Sequence, residues 1–180
     1  QAHYNAEVRG YRQPLQIGIG TAWRPQPNWR WMTDVVWTQY SKGFGEWVFH
    51  LTEGDNDAFN LIVGDDVLDI SLPLKWEDSY GLMTGVDWTA APGWTGHAGF
   101  AWTEVPGPTS TFFPQGPAIS RAHLGLGLTR RTRSGAWHLG WLHSLPETIR
   151  IDSSEIADEY DGVSVTAGVD AFAFGWTLRF

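Results

Sequence analysis

The chain contains no cysteine, which excludes a disulfide framework and a thiolate metal site. It also lacks any run of roughly 18 uninterrupted apolar residues, so no helix in it can cross a bilayer. Basic residues are in deficit: 12 Lys and Arg against 20 Asp and Glu give a net charge of -8. A nucleic-acid partner is excluded on that ground, because affinity for nucleic acid rests on a basic surface. No Met and no apolar leader stand before Gln1, and the expectation is a processed mature chain, a cleavage fragment or one part of a larger product. Tryptophan and glycine, by contrast, are plentiful, with 12 Trp and 21 Gly in 180 residues. Trp suits the membrane-water interface, and Gly suits a crowded barrel interior or a tight turn.

Alternation at period two dominates the chain and marks strands with one apolar and one small or polar face. Leu15, Ile17, Ile19 and Trp23 alternate with Gln16, Gly18, Gly20 and Ala22, a strand that Pro25 and Pro27 are expected to end. Trp29, Trp31, Val35 and Trp37 oppose Arg30, Met32, Asp34 and Val36, and Trp47, Phe49 and Leu51 continue the odd-numbered face. The segment 29–51 reads either as one very long strand or as a hairpin broken near Gly43 and Gly45. Tyr80, Leu82, Val86 and Trp88 alternate with Gly81, Met83, Gly85 and Asp87; Phe100 and Trp102 oppose His97, Gly99 and Ala101. Leu124, Leu126 and Leu128 then oppose His123, Gly125 and Gly127, Trp137, Leu139 and Trp141 oppose His138 and Gly140, and Phe172, Phe174, Trp176, Leu178 and Phe180 make a closing strand.

Connections alternate between short (24–29, 90–93, 131–135) and long (52–78, 104–118, 146–163). In outer-membrane barrels short turns are periplasmic and long loops extracellular, and counting back from Phe180 assigns every connection to its side, with the C-terminus periplasmic. A soluble antiparallel sandwich also has strands at this spacing. Its outer face would carry Lys, Glu, Thr and Ser, whereas the second face here is Gly, Ala, His and isolated Asp, as in a filled lumen. The reading is an all-β fold, a single domain over 1–180, and an antiparallel transmembrane β-barrel in a bacterial outer membrane, in contact with its lipid and lipopolysaccharide.

Several segments resemble the FadL-like family of outer-membrane long-chain fatty acid and hydrocarbon transporters. Thr33 to Ser41 (TDVVWTQYS) is similar to that family's Asp-x-x-Trp-Thr-x-Trp/Tyr-Ser strand, and Leu72 to Tyr80 (LPLKWEDSY) to its Leu-Pro-x-x-Trp-Lys-Asp-x-Tyr/Trp segment. Pro106, Pro108, Pro114 and Pro117 ahead of Ser120-Arg121 resemble its Pro-x-Pro loop ending in Asp-Arg, with Ser120 in place of Asp; Trp141 to Ser144 (WLHS) fits its last hairpin. The match is collinear from about residue 11 onward. It implies about the last seven or eight strands of a barrel of roughly 14, residues 3–9 being the tail of the strand before. An open half-sheet cannot stand in lipid, so the resemblance implies either a second chain or nicked precursor that supplies the N-terminal strands, or a small barrel closed by this chain alone.

Candidate site residues follow from the inward register. Met32, Val36, Met83 and Leu142, together with Phe112 and Phe113 in a long loop, are candidates to line a path for an apolar substrate. The loop aromatics equally suit simple packing on the rim. Asp34, Asp87, His97, His123 and His138 share the lumen register, where they could bind a transition metal, shuttle protons or form a polar network; without a diagnostic spacing no metal ligand set and no cofactor is assigned. His143 and Ser144 are adjacent and therefore fall on opposite faces of a strand, which argues against a lipid hydrolase, so no enzyme is expected. The acidic loop residues Glu53, Asp55, Asp57, Asp65, Asp66, Asp69, Asp152, Glu155, Asp158, Glu159 and Asp161 could hold a divalent cation, but they match no calcium-loop spacing and read as solvated loops. Arg130, Arg131 and Arg133 sit at the turn-side rim, against headgroups or as an anchor. Two functions follow: passive uptake of hydrophobic small molecules such as long-chain fatty acids, or a structural barrel that scaffolds a larger envelope complex and conducts nothing.

Overall fold

The computed structural model describes residues 2–113 and 120–178. The expectations placed on Pro114, Pro117 and Phe180 lie outside the described residues. Among the described residues ten strands follow one another: β1 (Asn5–Arg9), β2 (Leu15–Gln26), β3 (Trp29–Gln39), β4 (Glu46–Thr52), β5 (Leu68–Pro73), β6 (Ser79–Ala91), β7 (Trp94–Thr103), β8 (Ala122–Arg131), β9 (Gly135–Arg150) and β10 (Ser164–Leu178). Seven of them form one antiparallel sheet in the order β10-β9-β8-β7-β6-β3-β2, and β1-β4-β5 form a separate small sheet. A short helix of about two turns, α1 (Asp57–Val63), links β4 to β5, capped by the Asn56 side chain at its start and by a left-handed Gly64 at its end.

The cross-strand register carries one face intact across the large sheet. Ile19 lies opposite Val35, Val35 opposite Leu82, and Leu82 opposite Trp102. Farther along, Ala98 faces Leu126, Leu126 faces Trp141, and Trp141 faces Phe172. Of these, Ile19 (77%), Val35, Leu82, Ala98, Leu126 and Phe172 (81%) stand exposed and Trp102 and Trp141 half-buried, while Thr38, Ser79, Thr95, Thr129 and Ser144 on the opposite face are buried. Among the described residues only Leu74, Ile149 and Ile151 are buried hydrophobics. A soluble sandwich inverts that order, so the alternative is excluded: the apolar face is built to meet hydrocarbon. The polar face is concave, for Arg24 of β2 and Arg131 of β8 line one cavity.

Sequence pattern and structure part in four places. Pro25 does not stop β2; the strand runs to Gln26 through a register shift after Trp23, where Arg24 and Pro25 together oppose Arg30 and the absent N–H falls in a break of the ladder. The segment 29–51 is neither one strand nor a hairpin. The chain leaves the large sheet after Gln39, turns through Gly43, whose Cβ would lie 2.1 Å from the Arg12 carbonyl oxygen, and pairs β4 with β1 and β5 instead. Residues 3–9 accordingly add no eighth strand to the large sheet. The connection expected over 146–163 begins only at 151, because β9 continues through Pro146 to Arg150.

Pro146 is accommodated by a bulge. Glu147 pairs with Ala167 and Ser144 with Val169, so Leu145 and Pro146 together oppose the single residue Gly168. A Cβ at Gly168 would come within 3.0 Å of Pro146 Cγ. The extra residue shifts the parity of β9, and Ile149 and Ile151, which uninterrupted alternation would put outside, are buried.

Substituting Leu126, at mid-strand on the apolar face, by Arg will destabilise the membrane-embedded protein by roughly 2–4 kcal/mol. The same change at Leu61, which is equally apolar and more exposed but sits on α1, will fall within about 0.5 kcal/mol of wild type. Urea unfolding midpoints of the two variants in lipid measure the difference.

Candidate functional site

Two connections, after β3 and after β7, fold back over one end of the concave face and border a cavity of about 600 Å³. Its floor is the inward register of the sheet: Gln16 of β2, Val36 and Thr38 of β3, Gly81 and Met83 of β6, and Thr103 of β7. Leu74, Trp76, Pro106, Gly107, Pro108, Phe112 and Phe113 wall and roof it. Small residues create the space. A Cβ at Gly107 would approach Trp76 Nε1 to 2.8 Å, so only glycine lets that loop lie flat on the indole.

The two motifs read around Trp37 and Trp76 meet at the cavity wall. Ser41 donates both its backbone N–H (3.1 Å) and its hydroxyl (2.6 Å) to Asp78. Tyr40 meets the Trp76 ring edge-on at 5.3 Å, and Phe44 stacks on it at 4.7 Å. Behind them Tyr11 and Trp47 extend the aromatic cluster. The backbone N–H groups of Leu74 and Lys75 converge on the Gly45 carbonyl, at 3.0 and 2.8 Å, which holds Lys75 in the left-handed region at φ 52. That turn aims the Lys75 ammonium at Glu155, in the connection after β9.

Glu155 joins the cap together. Its second carboxylate oxygen accepts from the Ser110 hydroxyl at 3.1 Å, and its backbone N–H donates to the Ser110 carbonyl at 2.7 Å. Thr111, buried beside them, donates its hydroxyl to the Leu74 carbonyl at 2.7 Å. Segments 40–78, 104–113 and 151–163 are thereby tied into one cap. The Lys75 ammonium, aided by the Ser110 hydroxyl, holds the exposed Glu155 carboxyl below the usual carboxylate range.

Of the residues proposed to line a substrate path, the structure brings Val36, Met83, Phe112 and Phe113 into this cavity. Met32 lies elsewhere on the inner face, its methyl 4.0 Å from where a Gly85 Cβ would stand, and Leu142 faces inward on β9 away from the cavity. Leu74, Trp76 and Thr111 are wall residues that were not among the expected site residues. The LPLKWEDSY segment at 72–80 was the available signal for Leu74 and Trp76, and nothing marked Thr111.

The polar lumen residues form a row nearer the short turns. Arg30 donates to Asp87 at 2.9 Å, Asp87 pairs with His97 Nδ1 at 2.7 Å, His97 Nε2 meets the Thr129 hydroxyl at 2.9 Å, and Thr129 meets His138 Nδ1 at 3.0 Å. One chain of hydrogen bonds thus crosses five strands, the network reading of these residues. His123 stands apart and bonds Ser144 at 2.8 Å. Asp34 is apart too, packed over Gly20, where a Cβ would lie 2.0 Å from its carboxylate oxygen. His143 faces the opposite way from Ser144, toward Asp170 at 3.0 Å on the apolar face. The acidic loop residues are drawn off separately: Asp55 to His3, Asp69 to His50, Glu53 to Asn5 and Asp161 to the Ser154 N–H. No three acidic or His side chains converge as a cation cage among the described residues. The basic rim divides as well, with Arg130 outward over Trp94, 4.7 Å from its ring centre, and Arg131 inward.

No protein-family model matches the sequence, and neither does any curated protein. Solved structures do. The toluene transporter TodX of P. putida superposes with a TM-score of 0.70 at 14% identity, over 97% of this chain and 36% of TodX. The fold is that of a FadL-like barrel segment. The toluene transporter TbuX of Ralstonia pickettii gives a TM-score of 0.66 at 14% identity over 97% of this chain and 36% of its own length. A Pseudomonas aeruginosa FadL homologue gives 0.69 at 16% identity over 92% and 35%. The chain therefore spans little more than a third of the FadL-like barrels it matches, and those barrels are described as transporters and channels rather than enzymes.

A carboxyl held low in the folded cap contributes stability that is complete above its ordinary value of 4.5 and is lost as pH falls through the lowered folded value. Amide exchange across 151–163, corrected for the intrinsic rate, will accelerate as the pH falls below the ordinary value of 4.5, and Glu155→Gln will remove that step while loosening the cap at neutral pH.

Proposed function

We propose that this chain is part of an outer-membrane barrel that admits hydrophobic small molecules, such as long-chain fatty acids, by passive transport. The observation that carries the reading is the capped cavity on the concave face. Its volume of about 600 Å³ falls in the range of pockets that hold small ligands. Val36 and Met83 beneath and Phe112 and Phe113 above supply apolar walls, and a few hydroxyls at Thr38, Ser79 and Thr103 supply orienting contacts. The long connections face outside and the short turns the periplasm, as the alternation of their lengths requires in an outer-membrane barrel. No cofactor and no chemical step is involved.

Completion of the barrel is part of the same proposal. The sheet's edges, β2 and β10, do not pair with each other, and unpaired edge groups in hydrocarbon cost several kcal/mol each. Strand direction limits what can complete it. Seven antiparallel strands leave both edges running the same way, so an all-antiparallel closure needs an odd number of further strands. A second copy related by a two-fold axis along the barrel would create two parallel seams. The completing strands are therefore assigned to a different segment, an N-terminal half on the same precursor or on another chain.

Co-assembly of the chain with such a half in liposomes tests the reading. Saturable uptake of labelled fatty acid is expected, and Met83→Trp, which fills the cavity floor, will reduce it about tenfold. Uptake indistinguishable from empty liposomes, together with a tight complex of non-barrel proteins on a plugged lumen, would favour the scaffold instead.

A further inference from the structure

A second cavity, of about 390 Å³, lies at the short-turn end of the concave face. Three guanidinium groups line it, Arg24, Arg30 and Arg131, against one carboxylate, Asp87. The charges do not cancel. Arg30 directs two N–H groups at one oxygen of Asp87, and His97 occupies the other. Asp87 is thereby consumed, and the side chains of Arg24 and Arg131 have no hydrogen-bond or ion-pair partner among the described residues. They enter from β2 and β8, strands at distant positions in the sheet, and are brought to one cavity by its curl. Thr89 and Thr95 add hydroxyls on the same wall.

We propose that this cavity is an oxyanion site in which Arg24 and Arg131 grip a carboxylate or phosphate from two sides. A guanidinium offers paired N–H donors matched to such a group, and two of them facing a concave wall concentrate positive potential there. Arg30 is excluded from direct binding by Asp87 and instead fixes the wall through the row that continues to Thr129. The oxyanion is either the head of an amphiphile in the lumen or a free anion. This rests on reading the concave face as a lumen.

The test uses outer membranes containing the complete protein and a dodecanoate that bears a diazirine beside its carboxylate. Labelling is expected in the peptides around Arg24–Arg30 and Asp87–His97, competed by excess dodecanoate but not by dodecanol. Competition by inorganic phosphate as well identifies a free anion as a ligand; competition by dodecanoate alone identifies the amphiphile head, and either outcome supports the site. Joint Arg24→Gln and Arg131→Gln substitution should lower labelling at least about tenfold, as loss of two charge-assisted contacts implies, and the corresponding Lys pair should restore part of it. Arg133→Gln, at the same rim but outside the cavity, should leave it unchanged. Heat-modified mobility of the variants in gels shows that the barrel has formed. Labelling that dodecanol competes equally, or that survives loss of both arginines in a formed barrel, overturns the proposal. Labelling that persists where fatty acid uptake is absent would overturn transport and leave the site standing; uptake without this labelling would do the reverse.

Discussion

Backbone groups in hydrocarbon have no water to bond, and this constraint governs everything else in the chain. It forces continuous antiparallel ladders, and the ladders in turn bind each side chain to one of two faces. Lipid then claims the apolar face, so the usual hydrophobic core is absent from the sheet. Order on the inner face must come from hydrogen bonds and close packing instead. The row from Arg30 to His138 provides the first at the turn end. The aromatic cluster around Phe44 and Trp76 provides the second beneath the loops.

The bulge opposite Gly168 shows how one extra residue couples these two regimes. Below it, β9 shows Trp141 and Leu139 to the lipid side; above it, the same strand turns Ile149 to a buried position. Proline suits the position because a bulge already interrupts the ladder, so its missing N–H is not an added loss. The transition from lipid solvent to water solvent is thus written into a single local irregularity. Membrane-facing strand and cap are one continuous element.

Reading the sequence recovered the large sheet well, because period two survives wherever one face is uniformly apolar. Leu124, Leu126 and Leu128, or Phe172, Phe174 and Trp176, leave no second interpretation of their register. The cap was not legible in the same way. Trp47, Phe49 and Leu51 continue the odd-numbered alternation of β3, yet β4 belongs to another sheet, since periodicity states which way a side chain faces and not which strand lies beside it. Ile149 and Ile151 were hidden by the bulge, which changes parity without changing composition. Val36 and Met83 were found as site residues because they are apolar exceptions on an otherwise small and polar face. Arg24 and Arg131 look like ordinary rim charges until curvature brings β2 and β8 to one cavity.

The small sheet also shapes how the chain assembles. Every neighbour pair in the large sheet joins strands consecutive in sequence except β3 with β6, where β4, α1 and β5 intervene. Hairpin pairing is local and fast, whereas a seam across a long connection must first overcome the entropy of closing it. A pre-formed β4–β5 hairpin shortens the flexible part of that connection, and β1 pins the hairpin to the segment just before β2. In the folded chain the small sheet therefore spans most of the connection across the one seam between strands distant in sequence, β3 with β6.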